Sequence, residues 1–148
     1  MSRSSTTFER VIPERDQIRL LFDLLGARCH PISHARMPSF LEHEAFVRGH
    51  PYRCWYLIRD GGGCTGSVYI TRDNTIGIDI TQGATRRLLG KTLAFVRENH
   101  APYPGIPSIR GDEFSVNVSP GNAELIAAMK GLGLGVVQIS FAIGGPGT

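Results

Sequence analysis

No stretch of this chain is long and apolar enough to cross a bilayer as a helix, which takes about 20 consecutive apolar residues. The first residues, Met-Ser-Arg-Ser-Ser-Thr-Thr-Phe-Glu-Arg, also lack the apolar core of a secretory signal. Cysteine is scarce: Cys29, Cys54 and Cys64 are three in all and cannot all pair within the chain. Reduced thiols and a cytoplasmic setting are therefore expected. Charge is nearly balanced, 16 Lys and Arg against 13 Asp and Glu for a net +3, and no basic run stands out. That argues against nucleic-acid and membrane partners while leaving room for a phosphorylated small molecule. Metal-ligand spacing is missing too. His43-Glu44 opens like a metalloprotease helix, but Val47 stands at the second histidine position, and Cys29, His30 and His34 follow no site spacing, so no metal is expected.

What is present is a chain of 148 residues, 41% hydrophobic, enough for one cored domain over 1–148 with flexible ends at 1–7 and 144–148. No internal repeat is visible. A first short strand is expected at 8–12, and Pro13 suits a helix start, since its missing N–H costs nothing in a first turn. Ile18, Leu21, Phe22 and Leu25 then follow at i, i+3, i+4 and i+7, an amphipathic helix ended by Gly26. Two prolines make 29–38 a loop. Ser39 with Glu42 has capping-box spacing, Leu41, Ala45, Phe46 and Val47 give a second helix an apolar side, and His50-Pro51 stops it.

Strands follow at 52–59, 64–71 and 75–81 as an antiparallel meander, with Asp60-Gly61-Gly62-Gly63 as the first turn. A Gly- and Arg-containing loop then leads into a helix carrying Leu-Ala-Phe-Val. A loop that runs into a helix N-terminus presents unpaired N–H groups and the positive end of the helix dipole together, which attracts an anion. Three prolines make 101–110 irregular. A strand at 114–118, a helix at 122–132 (Leu125, Ala128, Met129 and Leu132 on one side) and a last strand at 136–143 complete the chain. The expected class is α/β (α+β): a mixed, mainly antiparallel central sheet flanked by helices, in the order β-α-α-β-β-β-α-β-α-β.

That order, with the anion-facing loop after the fourth strand, resembles the GNAT superfamily of acyl-CoA-dependent N-acyltransferases. Met-Pro-Ser-Phe-Leu-Glu-His-Glu-Ala-Phe-Val (37–47), His-Pro-Tyr-Arg-Cys-Trp-Tyr-Leu-Ile (50–58), Gly-Ser-Val-Tyr-Ile-Thr (66–71) and Ile-Gly-Ile (76–78) look like a small GNAT group associated with bacterial surface-sugar synthesis. Val-Asn-Val-Ser-Pro-Gly-Asn (116–122) resembles the segment that leads into the family's last helix. The resemblance implies that the fourth strand splays from the fifth and that acyl-CoA enters the gap. The pantetheine arm would pair with the backbone at Ile78, Asp79 and Ile80, and the pyrophosphate would sit on Thr85-Arg86-Arg87-Leu88-Leu89-Gly90. Asn117 and Asn122 match positions near the cofactor arm, although Asn122 reads equally as a helix N-cap.

The chain departs from the family pattern in ways that bear on chemistry. Leu88 stands where the loop's middle glycine belongs, and a leucine resists both close phosphate approach and positive φ; a two-residue shift to Arg87-Leu-Leu-Gly90-Lys-Thr92 restores the glycine but lengthens the loop. Arg86 and Arg87 can replace lost backbone contacts by charge-assisted bonds; their other reading is a solvated helix start. Thr75 occupies the place of an acidic residue found in relatives, which leaves Asp79, then Glu113 and His34, as candidate bases. A thiolate-protonating tyrosine would fall at Met129, a core residue here. Tyr52, Trp55, Tyr56 and Tyr69 divide between the core and a pocket for a sugar ring. Gly90-Lys91-Thr92 narrowly misses a P-loop, because Thr85 stands where its first glycine is needed.

The function implied is transfer of acetyl from acetyl-CoA to a small-molecule amine, such as that of an amino sugar or sugar nucleotide, by a monomer or homodimer. The alternative is a catalytically impaired GNAT-fold binding or regulatory module.

Overall fold

The computed structural model describes residues 5–27 and 37–144. Strand β1 (Thr6–Arg10) is followed by helices α1 (Arg15–Gly26) and α2 (Phe40–Arg48), then by strands β2 (Cys54–Asp60), β3 (Gly63–Ile70) and β4 (Thr75–Ile80). Helix α3 (Thr85–Asn99), the short β5 (Ser115–Val116) and helix α4 (Ala123–Gly131) complete the order. The five strands form one sheet in the order β1-β2-β3-β4-β5, antiparallel except between β4 and β5. The class, the three-stranded meander and the four helices agree with the sequence-based expectation.

Strand β2 lies inside the sheet between β1 and β3 and is buried on both faces. Cys54, Tyr56 and Ile58 point into a core shared with Leu88, Leu89, Leu93 and Val96 of α3 and Leu125 and Met129 of α4. Trp55 and Leu57 point the other way, toward Ile18 and Leu21 of α1 and Val47 of α2. Period-two alternation on the strands and the 3.6-residue stripe on the helices therefore produce a layer of helices on each face. On the α2 side Tyr52 stacks on Tyr69 at 3.9 Å between ring centroids, and Trp55 meets Tyr52 edge-on. Tyr56 packs instead against Phe95 on the α3 side.

Local chemistry sets the element ends. Gln17, itself buried, accepts from the Ile12 N–H at 2.6 Å and donates to the Arg10 carbonyl and to Glu9, which closes β1 two residues earlier than expected. Ser39 caps α2 by accepting from the Glu42 N–H. Asn74 sits in the left-handed region at φ 63° and is almost fully buried. Its side chain donates to the carbonyls of Tyr103 and Gly111 and accepts from the Tyr103 N–H, which ties the proline-rich segment to the β3–β4 turn.

Two expectations fail. The fifth strand covers two residues instead of 114–118, for a reason that belongs to the site described below. The last strand, expected at 136–143, does not form: those residues are irregular, and Val137, Phe141 and Ile143 are 85%, 84% and 98% exposed. An apolar alternating run becomes a strand only against an edge whose N–H and C=O groups face it. Among the described residues no such edge meets this segment after it leaves α4 through Gly131, Gly133 and Gly135.

Two stability predictions follow from this packing. A Cβ on Gly66 would collide with the Asp79 carbonyl and lie 3.0 Å from the Ile80 Cα, both backbone atoms that cannot swing away. Gly66→Ala is expected to lower unfolding free energy by about 1–3 kcal/mol, read from the denaturant midpoint; an unchanged midpoint would show that β3 and β4 tolerate separation here.

His100 bonds the Tyr56 hydroxyl at 2.8 Å, and burial, with Arg53 and Arg10 nearby, holds its pKa below the usual histidine value; burial does the same for His43 and His50. The unfolded chain therefore takes up these protons first, starting near pH 6.5. Stability is expected to be level between about pH 7 and 8 and to fall on acidification through about pH 6.5 toward the lower folded-state values. A melting temperature that held or rose from pH 7 to 5 would contradict this assignment.

Candidate active site

The site begins where β4 and β5 part. They pair in parallel at Thr75↔Ser115 and Ile76↔Val116, and the last rung is the Asn117 N–H donating to the Ile76 carbonyl at 3.2 Å. Beyond it Pro120 has no N–H to give, and the Asn122 N–H turns back to the Ser119 carbonyl. The chain thus swings away from β4 into α4. On the other side of β4, Ile78 and Ile80 stand opposite Val68 and Gly66, and the Thr81 N–H donates to Thr65. In this antiparallel alternation the N–H and C=O groups of Ile78 and Ile80 point away from β3 and into the gap. No backbone partner from β5 or the segment after it meets them among the described residues.

The gap is a cavity of about 460 Å³. Its walls are Ile78 to Gln82 and Thr85 on one side, Ser119 and Gly121 to Leu125 on the other, with Leu24 of α1 and Ala27, which follows that helix. Ile78 turns its side chain into the core beneath α3 and α4, so the next residue, Asp79, lies on the opposite sheet face, the one covered by α1. The cavity therefore has a strand-like polar edge, a carboxylate on the α1 side and the start of α3 on the other.

That helix start differs from expectation. Residues 85–90 are the first turns of α3, not a loop; the turn is made by Thr81 to Ala84, with Gly83 at φ 90°. Thr85, Leu88, Leu89, Thr92, Leu93 and Val96 form one buried stripe, so the helix must begin early enough to place Leu88 against the sheet. Burying such a leucine is worth roughly 1.5–3 kcal/mol. Leu88 thus fills the core and does not enter the cavity wall.

Ala84 caps α3 with no side-chain bond, and the first turn holds no acidic residue. An uncapped N-terminus of this kind favours a negative group nearby. One is already at hand: the Glu124 carboxylate of α4 accepts from the Gly83 N–H at 3.0 Å.

The two arginines take different directions. Arg87 is paired with Asp60 at the end of β2, and the pairing holds the Asp60 carboxyl below its usual pKa. Lys91, one turn on, reaches Thr6 of β1, so this helix face looks toward β1 and β2. Arg86 shares its face with Gly90, whose vacant Cβ position lies 4.0 Å from Leu132 beyond α4, and it is exposed with no carboxylate partner among the described residues.

The structure thus brings together Ile78, Asp79, Ile80, Thr85 and Asn122 around one cavity, with Arg86 on the α4-facing side of the helix that borders it. Asn122 acts as the cap of α4, accepting from the Leu125 N–H at 3.2 Å, while also lining the wall. Asn117, Arg87 and Gly90 are exposed and outside the lining, and Leu88 and Leu89 are outside it because they are buried in the core. Glu113 is exposed and precedes Ser115, which pairs with the first residue of β4, so it lies at the end of the ladder away from the cavity. His34 lies outside the described residues. None of Tyr52, Trp55, Tyr56 and Tyr69 lines the cavity; they pack in the two cores or against one another. Sequence reading missed Leu24, Ala27, Ser119 and Glu124, because only the tertiary arrangement carries α1 and α4 to the end of β4. Among the described residues no group of His, Cys, Asp and Glu is placed to hold a metal ion, and no helix is long and apolar enough to cross a membrane.

No family model and no curated protein matches this chain. Solved structures do. An aminoglycoside N-acetyltransferase in complex with CoA matches with a TM-score of 0.59 at 10% identity, over 98% of this chain and 97% of that one. A spermidine N-acetyltransferase from Vibrio cholerae, a dodecamer, matches with a TM-score of 0.51 at 15% identity, over 86% of this chain and 78% of that one. A tandem GNAT protein from the clavulanic acid biosynthesis pathway matches with a TM-score of 0.51 at 21% identity, over 85% of this chain and 43% of that one. Identities this low speak to architecture alone, and the architecture of this chain is the GNAT fold.

Proposed function

We propose that this chain is an acyl-CoA-dependent N-acyltransferase that moves acetyl from acetyl-CoA to the amine of a small molecule, an amino sugar or sugar nucleotide among the candidates. The observation that carries the reading is the backbone of Ile78 and Ile80, unpaired among the described residues and facing a cavity instead of β5. A slim arm with alternating amide donors and acceptors satisfies such an edge as another strand would. The residues present suit the rest of the cofactor: the uncapped start of α3 and Arg86 offer N–H groups and positive charge to the diphosphate. The solved neighbours named above include one in complex with CoA, and two of them act on aminoglycosides or spermidine.

Bound acetyl-CoA would supply an activated acyl group. The chain's own residues then hold the reactants and manage a proton. In this reading the Ile80 N–H donates to the acyl carbonyl oxygen and stabilises the charge that gathers there. Asp79, on the α1 side of the cavity, attracts the amine and accepts its proton as the C–N bond forms; the C–S bond would then break, and the departing CoA thiolate would take its proton from water. Leu24 and Ala27 shape the acceptor end.

A second reading, a GNAT-fold module that binds without turnover, draws on Met129, which is buried in the core where a thiolate-protonating side chain was sought, and on Glu124, which already holds the Gly83 N–H.

Acetyl-CoA or CoA at about 100 times its Kd is expected to raise the melting temperature by roughly 5–10 °C, with ATP giving no comparable shift. Arg86→Glu should weaken CoA binding tenfold or more, whereas Arg87→Glu should leave affinity within about twofold and lower stability through loss of the Asp60 pair. Equal effects of the two on affinity would remove the assignment of Arg86. With a responsive amine identified from a panel of amino sugars, aminoglycosides and polyamines, Asp79→Asn is expected to cut thiol release about 100-fold or more while CoA still binds. CoA binding without thiol release for any amine would favour the module.

A further inference from the structure

We propose that residues 135–143 form a strand donated to the open β5 edge of a second copy of this chain, so that two copies close a dimer by exchanging their C-terminal segments. The donor is visible in one copy. Val137, Ile139, Phe141 and Ile143 recur at every second position, the period of a strand with one covered face, and all four are exposed. Such a run stands open to water in a single copy and demands a cover.

The acceptor lies in the same chain. Strand β5 ends the sheet, so the edge away from β4 is unpaired among the described residues. Around it Phe114, Val116 and Val118 repeat at the same period and are only half-buried against the core. Edges left open in monomers are ordinarily blunted by charge or proline. Neither 114–118 nor 134–143 contains a charged residue or a proline, so nothing on either segment opposes their pairing.

The connection suits exchange as well. Leu134 is anchored, its N–H donating to the Met129 carbonyl and its side chain packed on the core. Gly133 at φ 82° turns the chain there, and Gly135 follows as the pivot. Because donor and acceptor sit on one chain, reciprocal exchange is closed by a two-fold axis and leaves neither segment open, whereas a foreign partner would satisfy only one of them. Nine residues in extended form span about 30 Å. This inference is independent of the acyl-CoA reading.

The test is the oligomeric state of the full chain by sedimentation velocity between 1 and 200 µM, together with hydrogen exchange read by mass spectrometry at both ends of that range. The expected result is twice the monomer mass at the upper end, with peptides covering 134–144 and 113–119 becoming protected together as the dimer forms. The variant V137D/I139D/F141D should remain monomeric with a native circular dichroism spectrum. A chain that stays monomeric throughout overturns the proposal, as does a dimer that persists in the triple variant. Protection of 134–144 that is equal in monomer and dimer also overturns it, since the segment would then be covered within its own chain. Should the variant fail to fold, the concentration-dependent protection of the unaltered chain decides the matter alone.

Discussion

The two-rung parallel ladder between β4 and β5 is the constraint on which the rest of the structure depends. A longer ladder would spend the donors and acceptors of Ile78 and Ile80 on β5 and leave a continuous sheet with no cleft. A shorter one would not bring Ser119 and Asn122 near enough to β4 to wall it. The ladder stops where the chain offers Pro120 and Gly121 and where Asn122 caps α4, so a local capping preference decides how far a non-local pairing runs. Unmade backbone bonds cost about 1–3 kcal/mol when buried, so an edge of this kind is kept only where water or a ligand can reach it.

Electrostatics at the start of α3 follows the same logic. A helix with no side-chain cap and no acidic first turn presents unneutralised N–H groups, and Glu124 comes across from α4 to take the Gly83 N–H. An incoming phosphate would meet favourable groups from α3 and an unfavourable one from α4. The two neighbouring arginines are held apart by helix geometry. Successive positions differ by 100°, which sends Arg87 to Asp60 and Arg86 to the side shared with Gly90.

Much of the fold was legible from local pattern. The Ser39 cap, the apolar stripes of α1 and α4 and the alternating strands of the meander are written in neighbouring residues, and each needs only a period of 2 or 3.6 to be read. Resemblance carried the reading further, to a gap after β4 and the backbone of Ile78 and Ile80. It put residues 85–90 in a loop, because the family pattern sets a glycine where Leu88 stands. The same leucine, counted with Thr85, Leu89 and Thr92, belongs to the helix stripe that buries it. Glu113 was plausible as a base by residue type alone; its distance from the cleft is a matter of register between β4 and β5, which no local signal records.

By itself the sequence determined the order of elements up to α4 and the two apolar faces they bury, because these depend on periodicity and on turn residues such as Gly61, Gly62 and Asn74. Only the tertiary structure decided that Asp79 faces α1, that Glu124 reaches Gly83, and that the apolar run after Gly135 finds no partner among the described residues of its own chain. These are meetings of residues far apart in sequence. Their outcome rests on where one ladder ends and which edge remains open, quantities fixed by packing of the whole sheet and absent from any local stretch of the chain.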